Sequence, residues 1–400
     1  MTRTSRDAAL AEMWARHSAD WRDAAQVCSQ WRDAAAVDPR LLESRARGAW
    51  WRTLADLGVT LLVTREYEHL AMALTVAGRR PSVTMFPLPH PSGLAVDRRR
   101  GRVWLASTRN PNQVYALQPA TARLARGDVS SAGLAGRPLV PRSSSFYPGS
   151  LYLHDLAAIG GHLYGSAAGH NAIVRLQADG TFERVWWPRC IERRGRPVFD
   201  RNHIQLNSIA AGRTLRDSFF SASSTSIDRL RPGHINYPVD RRGVIFSGRT
   251  REPMCVGLTR PHSARLHGGR VWVANSGYGE VGFVSDGRLE VVARLPGWTR
   301  GLCCVGDVVF VATSRVIPRY ARYAPGLDVH QSTCALHAVS ATSGRVLGSL
   351  HWPFGNQVFA IDWMPRAESE GFPFRAGSRV RSRETAFFYA FDFEKDSRDR

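Results

Sequence analysis

Residues 260–284 read RPHSARLHGGRVWVANSGYGEVGFV. RVWVA is a short apolar run of the buried-strand kind, NSGYG is turn chemistry, and EVGFV is a returning strand. The strand before them is entered through Pro261, His262 and Ser263. What decides the fold is whether a polar residue at the head of a buried strand occurs once or recurs. It recurs. Segments of the same strand–turn–strand form begin at Ser92 (SGLAVDRRRGRVWLAS), His154 (HDLAAIGGHLYGSA), Asn207 (NSIAAGRTLRDSFFSAS), His262 (HSARLHGGRVWVANS) and Arg300 (RGLCCVGDVVFVATS). A sixth, FAIDWMP, begins at Phe359 and holds the first strand only. The heads lie 38 to 62 residues apart. Roughly 40–50 residues make one four-stranded propeller blade, and insertions add more.

The sixth unit lacks outer strands, while LLVTREYEHLAMAL (61–74) reads as two strands and a turn with no inner strand of its own. If these N-terminal strands complete the last blade, the ring closes and leaves no sheet edge open. The expectation is therefore an all-β, six-bladed propeller. Seven blades is the alternative, if FFYAFDF (387–393) and the N-terminal strands build separate blades. The expected organisation is a helical extension over 1–57, a propeller over 58–393 and a charged tail over 394–400. In the extension, Trp14, Trp21 and Cys28 lie seven apart and WRDAA occurs twice, which suits amphipathic helices packed on the main body.

Of the 400 residues, 44% are apolar and 22% charged, the balance of a globular chain long enough for a large core. No run approaches the roughly 18 apolar residues of a membrane helix, and the N-terminus lacks a signal-peptide core. These features predict a cytoplasmic protein with no membrane partner. The net charge of +20 is carried almost wholly by arginine, Lys395 being the single lysine. The arginines are scattered and form no basic helix, so a solvated surface is expected and a nucleic-acid partner is not. The six cysteines form no CxxC pair, which predicts free thiols rather than a cysteine zinc site.

In a propeller the first strand of each blade lines the central channel, so the heads Ser92, His154, Asn207, His262, Arg300 and Phe359 converge on one volume. Five of these six are polar, and His90, Asn202, His203, Gln205, Asn356 and Gln357 lie just upstream. Water-filled channels are lined with polar residues in any case. Two histidines at one register position, with His90 and His203 near them in sequence, point further, to a site. His154 and His262 are candidate acid/base groups, with Asp155 either orienting an imidazole or bracing a turn. Arg300 is a candidate clamp for a carboxylate, sulfate or phosphate. His90, Gln205, Asn207, Ser263 and Asn275 are candidate substrate-binding groups. A divalent metal on His154, His262 and His203 is the cofactor these residues would suit.

Four elements together carry a resemblance: LHDLAA (153–158), LNSIA (206–210), the stretch 260–282, and LPGWTRGLCCVGDVVFVATSR (295–315). The chain resembles, over about 58–365, a bacterial family of conserved hypothetical proteins, a domain of unknown function of propeller-like form. The resemblance assigns family positions to His154 and Asp155, to Pro261, His262 and Ser263, to 275–279, and to Pro296, Gly297, Arg300 and Gly301. Where that family often has His before Leu-Asn, this chain has Gln205, with His203 two residues earlier. The family often has Glu before the final inner strand; here the stretch is NQVFAIDW. Two functions stay open: an enzyme or binder of a small anionic molecule in the funnel, and a non-catalytic scaffold for a protein or glycan that docks a partner through its N-terminal helices.

Overall fold

Six antiparallel sheets pack face against face in a ring, each inner strand touching the next and the last touching the first. This is the arrangement of a computed structural model that describes residues 37–108, 112–120, 122–123, 136–375 and 391–392, with isolated positions between 8 and 34. From the axis outward, blade 2 runs Pro91–Asp97, Arg102–Ser107, Asn112–Pro119, Leu139–Tyr147. Blade 3 runs Leu153–Ile159, His162–Ala167, Ala172–Leu176, Phe182–Trp186. Blade 4 runs Leu206–Ala210, Phe219–Ala222, Gly243–Ser247, Pro253–Leu258, and blade 5 runs Pro261–His267, Arg270–Asn275, Glu280–Ser285, Arg288–Arg294. Blade 6 runs Trp298–Val305, Val308–Ser314, Ala335–Ser340, Val346–His351.

Blade 1 closes the ring. Its inner strand is Ala360–Pro365, and Val59–Arg65, Leu70–Ala77 and Arg80–Pro87 follow outward. The N-terminal strands thus complete the last unit, and six blades stand. Of FFYAFDF, only Phe391–Asp392 is described, and it pairs with Ala122–Arg123 rather than starting a further blade.

The helical reading of 1–57 holds for Trp50–Leu57, which ends at Gly58 with a left-handed backbone (φ 62°), a conformation glycine adopts at no steric cost. It does not hold for Arg45–Gly48, a strand added to the outer edge of blade 6. The edge of Val346–His351 would otherwise be open, and the chain can cover it because Gly48 has no side chain. A Cβ there would lie 2.8 Å from the Leu347 carbonyl oxygen. Trp50 is fully buried and meets Phe310 edge-on at 5.9 Å, so this helix belongs to the core between blades 6 and 1. Trp14, Trp21 and Cys28 lie outside the described residues; the other five cysteines are free thiols.

Side chains tie each blade to the next around the axis. Thr64 Oγ1 donates to Ser92 O (2.7 Å), Ser92 Oγ to Leu153 O (3.0 Å) and Ser166 Oγ to Leu206 O (3.1 Å). Asn207 Nδ2 donates to Pro261 O (2.8 Å), Ser276 Oγ to Thr299 O (2.6 Å), and Ser314 Oγ to Val358 O (3.1 Å), which returns to blade 1. Each satisfies a carbonyl near the head of an inner strand that the sheet ladder leaves over, at a net worth of about 1 kcal/mol.

Candidate functional site

The inner strands of blades 2 to 6 share a local irregularity. Their pairing shifts register at Pro91/Leu94, Leu153/Asp155, Leu206/Ser208, His262/Arg265 and Thr299/Leu302. A bulge bends its strand and re-aims side chains, and here it falls at the recurring head position. Just ahead of it, His90, Tyr152, Gln205 and Arg260 all have positive φ, between 43° and 53°. Left-handed backbone is unfavourable for a residue with a Cβ. Its recurrence at one register marks a position whose direction matters more than its strain. Three of these four side chains, Tyr152, Gln205 and Arg260, line one cavity of about 320 Å³ at the mouth where the inner strands begin.

His154, His262, Arg300, Gln205 and Phe359 line it too, with Glu66, Tyr67, Trp298, Arg315, Tyr320, Tyr323 and Gln357. His262 Nδ1 is 2.8 Å from the Arg260 carbonyl oxygen and 3.0 Å from Ser276 Oγ. A carbonyl can only accept, so Nδ1 carries the proton and Nε2 is the acceptor. Burial, reinforced by the nearby charge of Arg300, holds the His262 pKa well below its usual value. The same causes push His154 down to about 3. Both rings are neutral at physiological pH. Gln205 Nε2 lies 3.1 Å from His154 Nε2. The Gln205 oxygen accepts from Asn202 Nδ2 at 2.5 Å, so its nitrogen must face the ring and donate. The His154 proton therefore sits on Nδ1, which is buried with no hydrogen-bond partner.

Four arginines, Arg231, Arg260, Arg300 and Arg315, stand in the wall. Arg315 is held by the carbonyls of Gly355, Ser332 and Pro353, while Arg260 and Arg300 lie against aromatic rings. Arg300 Cζ lies 3.4 Å from the centroid of the Phe359 ring. With the Gln357 amide oxygen turned to it, Arg300 Nη1 donates at 3.0 Å, while the amide nitrogen faces Glu66 Oε2 at 3.3 Å. Glu66 also accepts from Thr108 Oγ1 at 2.6 Å. Arg260 Cζ lies 4.1 Å from the centroid of the Tyr323 ring, its Nη groups donate to Pro232 O and Ser223 Oγ, and its Nε is buried without a partner. Among the described residues neither guanidinium makes an ion pair.

Other sequence candidates stand elsewhere. Asp155 faces away from the cavity. It accepts from Arg265 Nη1 and Nη2 at 2.6 and 3.1 Å and from Ile209 N–H at 3.0 Å. It therefore joins blades 3, 4 and 5 and does not orient His154. His90 packs edge-on against His69, with ring centroids 4.4 Å apart. Asn207 bonds Ser223 Oγ and Pro261 O. Ser263 Oγ accepts from Gly301 N–H at 2.9 Å. Asn275 bridges Thr259 N–H and Glu280. None of these lines the cavity. His203 bonds Asp200 at 2.8 Å and does not join His154 and His262. No cluster of three or more His, Cys, Asp or Glu among the described residues is arranged to hold a metal ion.

Sequence reasoning missed Glu66, Tyr67, Tyr152, Arg260, Trp298, Arg315, Tyr320 and Tyr323. A signal for the first two existed. Glu66–Glu68, Ala168–His170 and Ser276–Tyr278 are the same one-turn helix, each followed by a left-handed residue, His69, Asn171 or Gly279. Aligning VTREYEHL with VANSGYGE places Glu66 and Tyr67 at that turn, facing the site.

Residues 48–371 match the family described as Domain of unknown function (DUF4915), and the chain belongs to it. No curated protein matches the sequence. Among solved structures, the nidogen/laminin complex aligns with TM-score 0.51 at 11% identity, over 76% of this chain and 98% of that one. A protein of unknown function from Bacteroides caccae aligns with TM-score 0.47 at 11% identity, over 76% and 98%. Virginiamycin B lyase from Staphylococcus aureus aligns with TM-score 0.37 at 11% identity, over 77% and 99%. At such identities the likeness concerns the fold alone. No helix among the described residues is long and apolar enough to cross a membrane.

Proposed function

We propose that this DUF4915 propeller binds a small organic anion in its central funnel, with Arg260 and Arg300 holding the negative charge. One observation carries the reading: both guanidiniums stand in the cavity wall against aromatic rings, a neutral amide, a carbonyl and a hydroxyl, with no carboxylate in direct contact among the described residues. A guanidinium keeps its charge even when desolvated, and it gains most from an anion that completes its donor set. His154 and His262 fit the same picture. Their neutral state is held in part by Arg300, so an anion on Arg300 offsets that repulsion and makes each ring a better proton acceptor. The His262 Nε2 is then placed to accept a proton from a bound molecule, which is the acid/base role open to it.

Thermal unfolding of the protein tests this with benzoate, succinate and inorganic phosphate, each beside a neutral amide or alcohol of similar size. At least one anion should raise Tm in the native sequence, and the rise should vanish in Arg300→Gln and Arg260→Gln. Equal stabilisation by neutral compounds, or a rise that survives both substitutions, would overturn the reading.

A further inference from the structure

We infer that the ligand is a polyhydroxylated ring carrying one acid group, a sugar acid or sugar phosphate in chemical class; this rests on the anion site proposed above. The cavity offers more than positive charge. With its Nδ1 proton committed to the Arg260 carbonyl, His262 can only accept at Nε2. A simple carboxylate has no proton to give it, whereas a hydroxyl does. Glu66, a second acceptor in the wall, disfavours a ligand that is anionic throughout and suits one with hydroxyls at a distance from its acid group. Gln205 and Gln357 add amide groups that match hydroxyls in either direction.

The walls supply the third element. Tyr67, Tyr152, Trp298 and Tyr320 line the same space, beside Tyr323 and Phe359, whose faces Arg260 and Arg300 already cover. Aromatic faces carry partial negative charge and take the weakly positive C–H faces of a saturated ring. The volume of about 320 Å³ is at the small end of ligand cavities, which run from about 300 to 1,000 Å³. It suits a single ring with short substituents and not a chain of them.

Isothermal titration with four ring compounds of similar size separates the elements: glucuronate, glucose 6-phosphate, glucose and cyclohexanecarboxylate. Glucuronate or glucose 6-phosphate should bind at least roughly tenfold more tightly than both glucose and cyclohexanecarboxylate, the effect of losing one charged or one hydroxyl contact. If cyclohexanecarboxylate binds as well as the hydroxylated acids, the hydroxyls are not read; this inference fails and the anion reading stands. If glucose binds as well as either acid, both fail; if none of the four binds, this inference fails and the Tm test with benzoate, succinate and phosphate decides the anion reading. The ratio of glucuronate to cyclohexanecarboxylate affinity then assigns His262. It should fall toward one in His262→Phe and recover in part in His262→Gln, which restores an acceptor. A ratio unchanged in folded His262→Phe, or unchanged in His262→Gln should the phenylalanine variant not fold, would remove His262 from hydroxyl recognition and overturn the argument built on it.

Discussion

His262 Nδ1 lies 2.8 Å from the carbonyl oxygen of Arg260, two residues earlier in the chain. The contact exists because Arg260 has a left-handed backbone (φ 53°) that folds its carbonyl back beneath the ring. One turn of main chain thus does two things. It aims the Arg260 guanidinium into the funnel, and it fixes which nitrogen of His262 carries the proton. Charge and proton acceptor are set by a single local conformation.

Acid should unfold this protein through its buried histidines. Burial and Arg300 push His154 down to about 3, burial and His351 push His337 down to about 3, and His262 lies well below its usual value. In the unfolded chain each binds a proton near pH 6.5. Between that value and the folded one the unfolded state binds more protons, so stability is whole above about pH 6.5 and falls as the pH drops toward 3. By pH 5 the loss is on the order of 2 kcal/mol for each of His154 and His337. Urea midpoints at pH 7.5 and pH 5, with imidazole NMR shifts followed over the same range, measure it. Equal midpoints, or rings that titrate near 6.5 in the folded protein, would contradict the buried neutral state.

Asp155 and Arg265 should behave as a structural pair. Their side chains are 4% and 17% exposed, and breaking a buried pair from one side costs about 3–5 kcal/mol. Asp155→Asn should therefore lower the urea midpoint sharply. Asp155→Asn with Arg265→Met should regain part of the loss, because no charge is left stranded. Ligand affinity, measured on the folded fraction, should stay within about twofold in the double variant. A tenfold loss there would return Asp155 to the site.

Thr64 joins three strands: its Oγ1 donates to Ser92 O at 2.7 Å and accepts from Ala360 N–H at 3.0 Å. Thr64→Val keeps the shape and orphans both groups, so a loss of about 2–4 kcal/mol is expected. Thr181→Val, in an exposed turn where Oγ1 donates to Asp179, should change stability by about 0.5 kcal/mol or less. Equal effects at the two positions would mean that the inter-blade ties carry no particular weight.

The blades were legible because strand heads repeat in kind. Ser92, His154, Asn207, His262, Arg300 and Phe359 each sit at or within two residues of the start of an inner strand. The site was legible only in part, because a bulge at that position decides direction. His154 and Arg300 turn into the cavity, while Asn207 turns to a neighbouring carbonyl. Alternation along a strand separates His154 from Asp155, and no residue type announces it. His90 and Arg260 share one register and one backbone conformation, yet His69 beside His90 draws that ring into packing. Tyr320 and Tyr323 enter from an insertion between the second and third strands of blade 6, beyond the reach of any blade repeat.

Blade 1 is made from two distant parts of the chain, Thr64 and Ala360 lying 296 positions apart. During synthesis, blades 2 to 6 emerge in order, while Val59–Arg65 waits with its axial edge bare. Pairing over so long a separation is slow to form. The same late segment brings Gln357 and Phe359, against which Arg300 is held. An interrupted chain would therefore display a sticky, unfinished edge and have no working funnel, exposing it to the cell's quality control. The ring's last joint is also its proof of completeness.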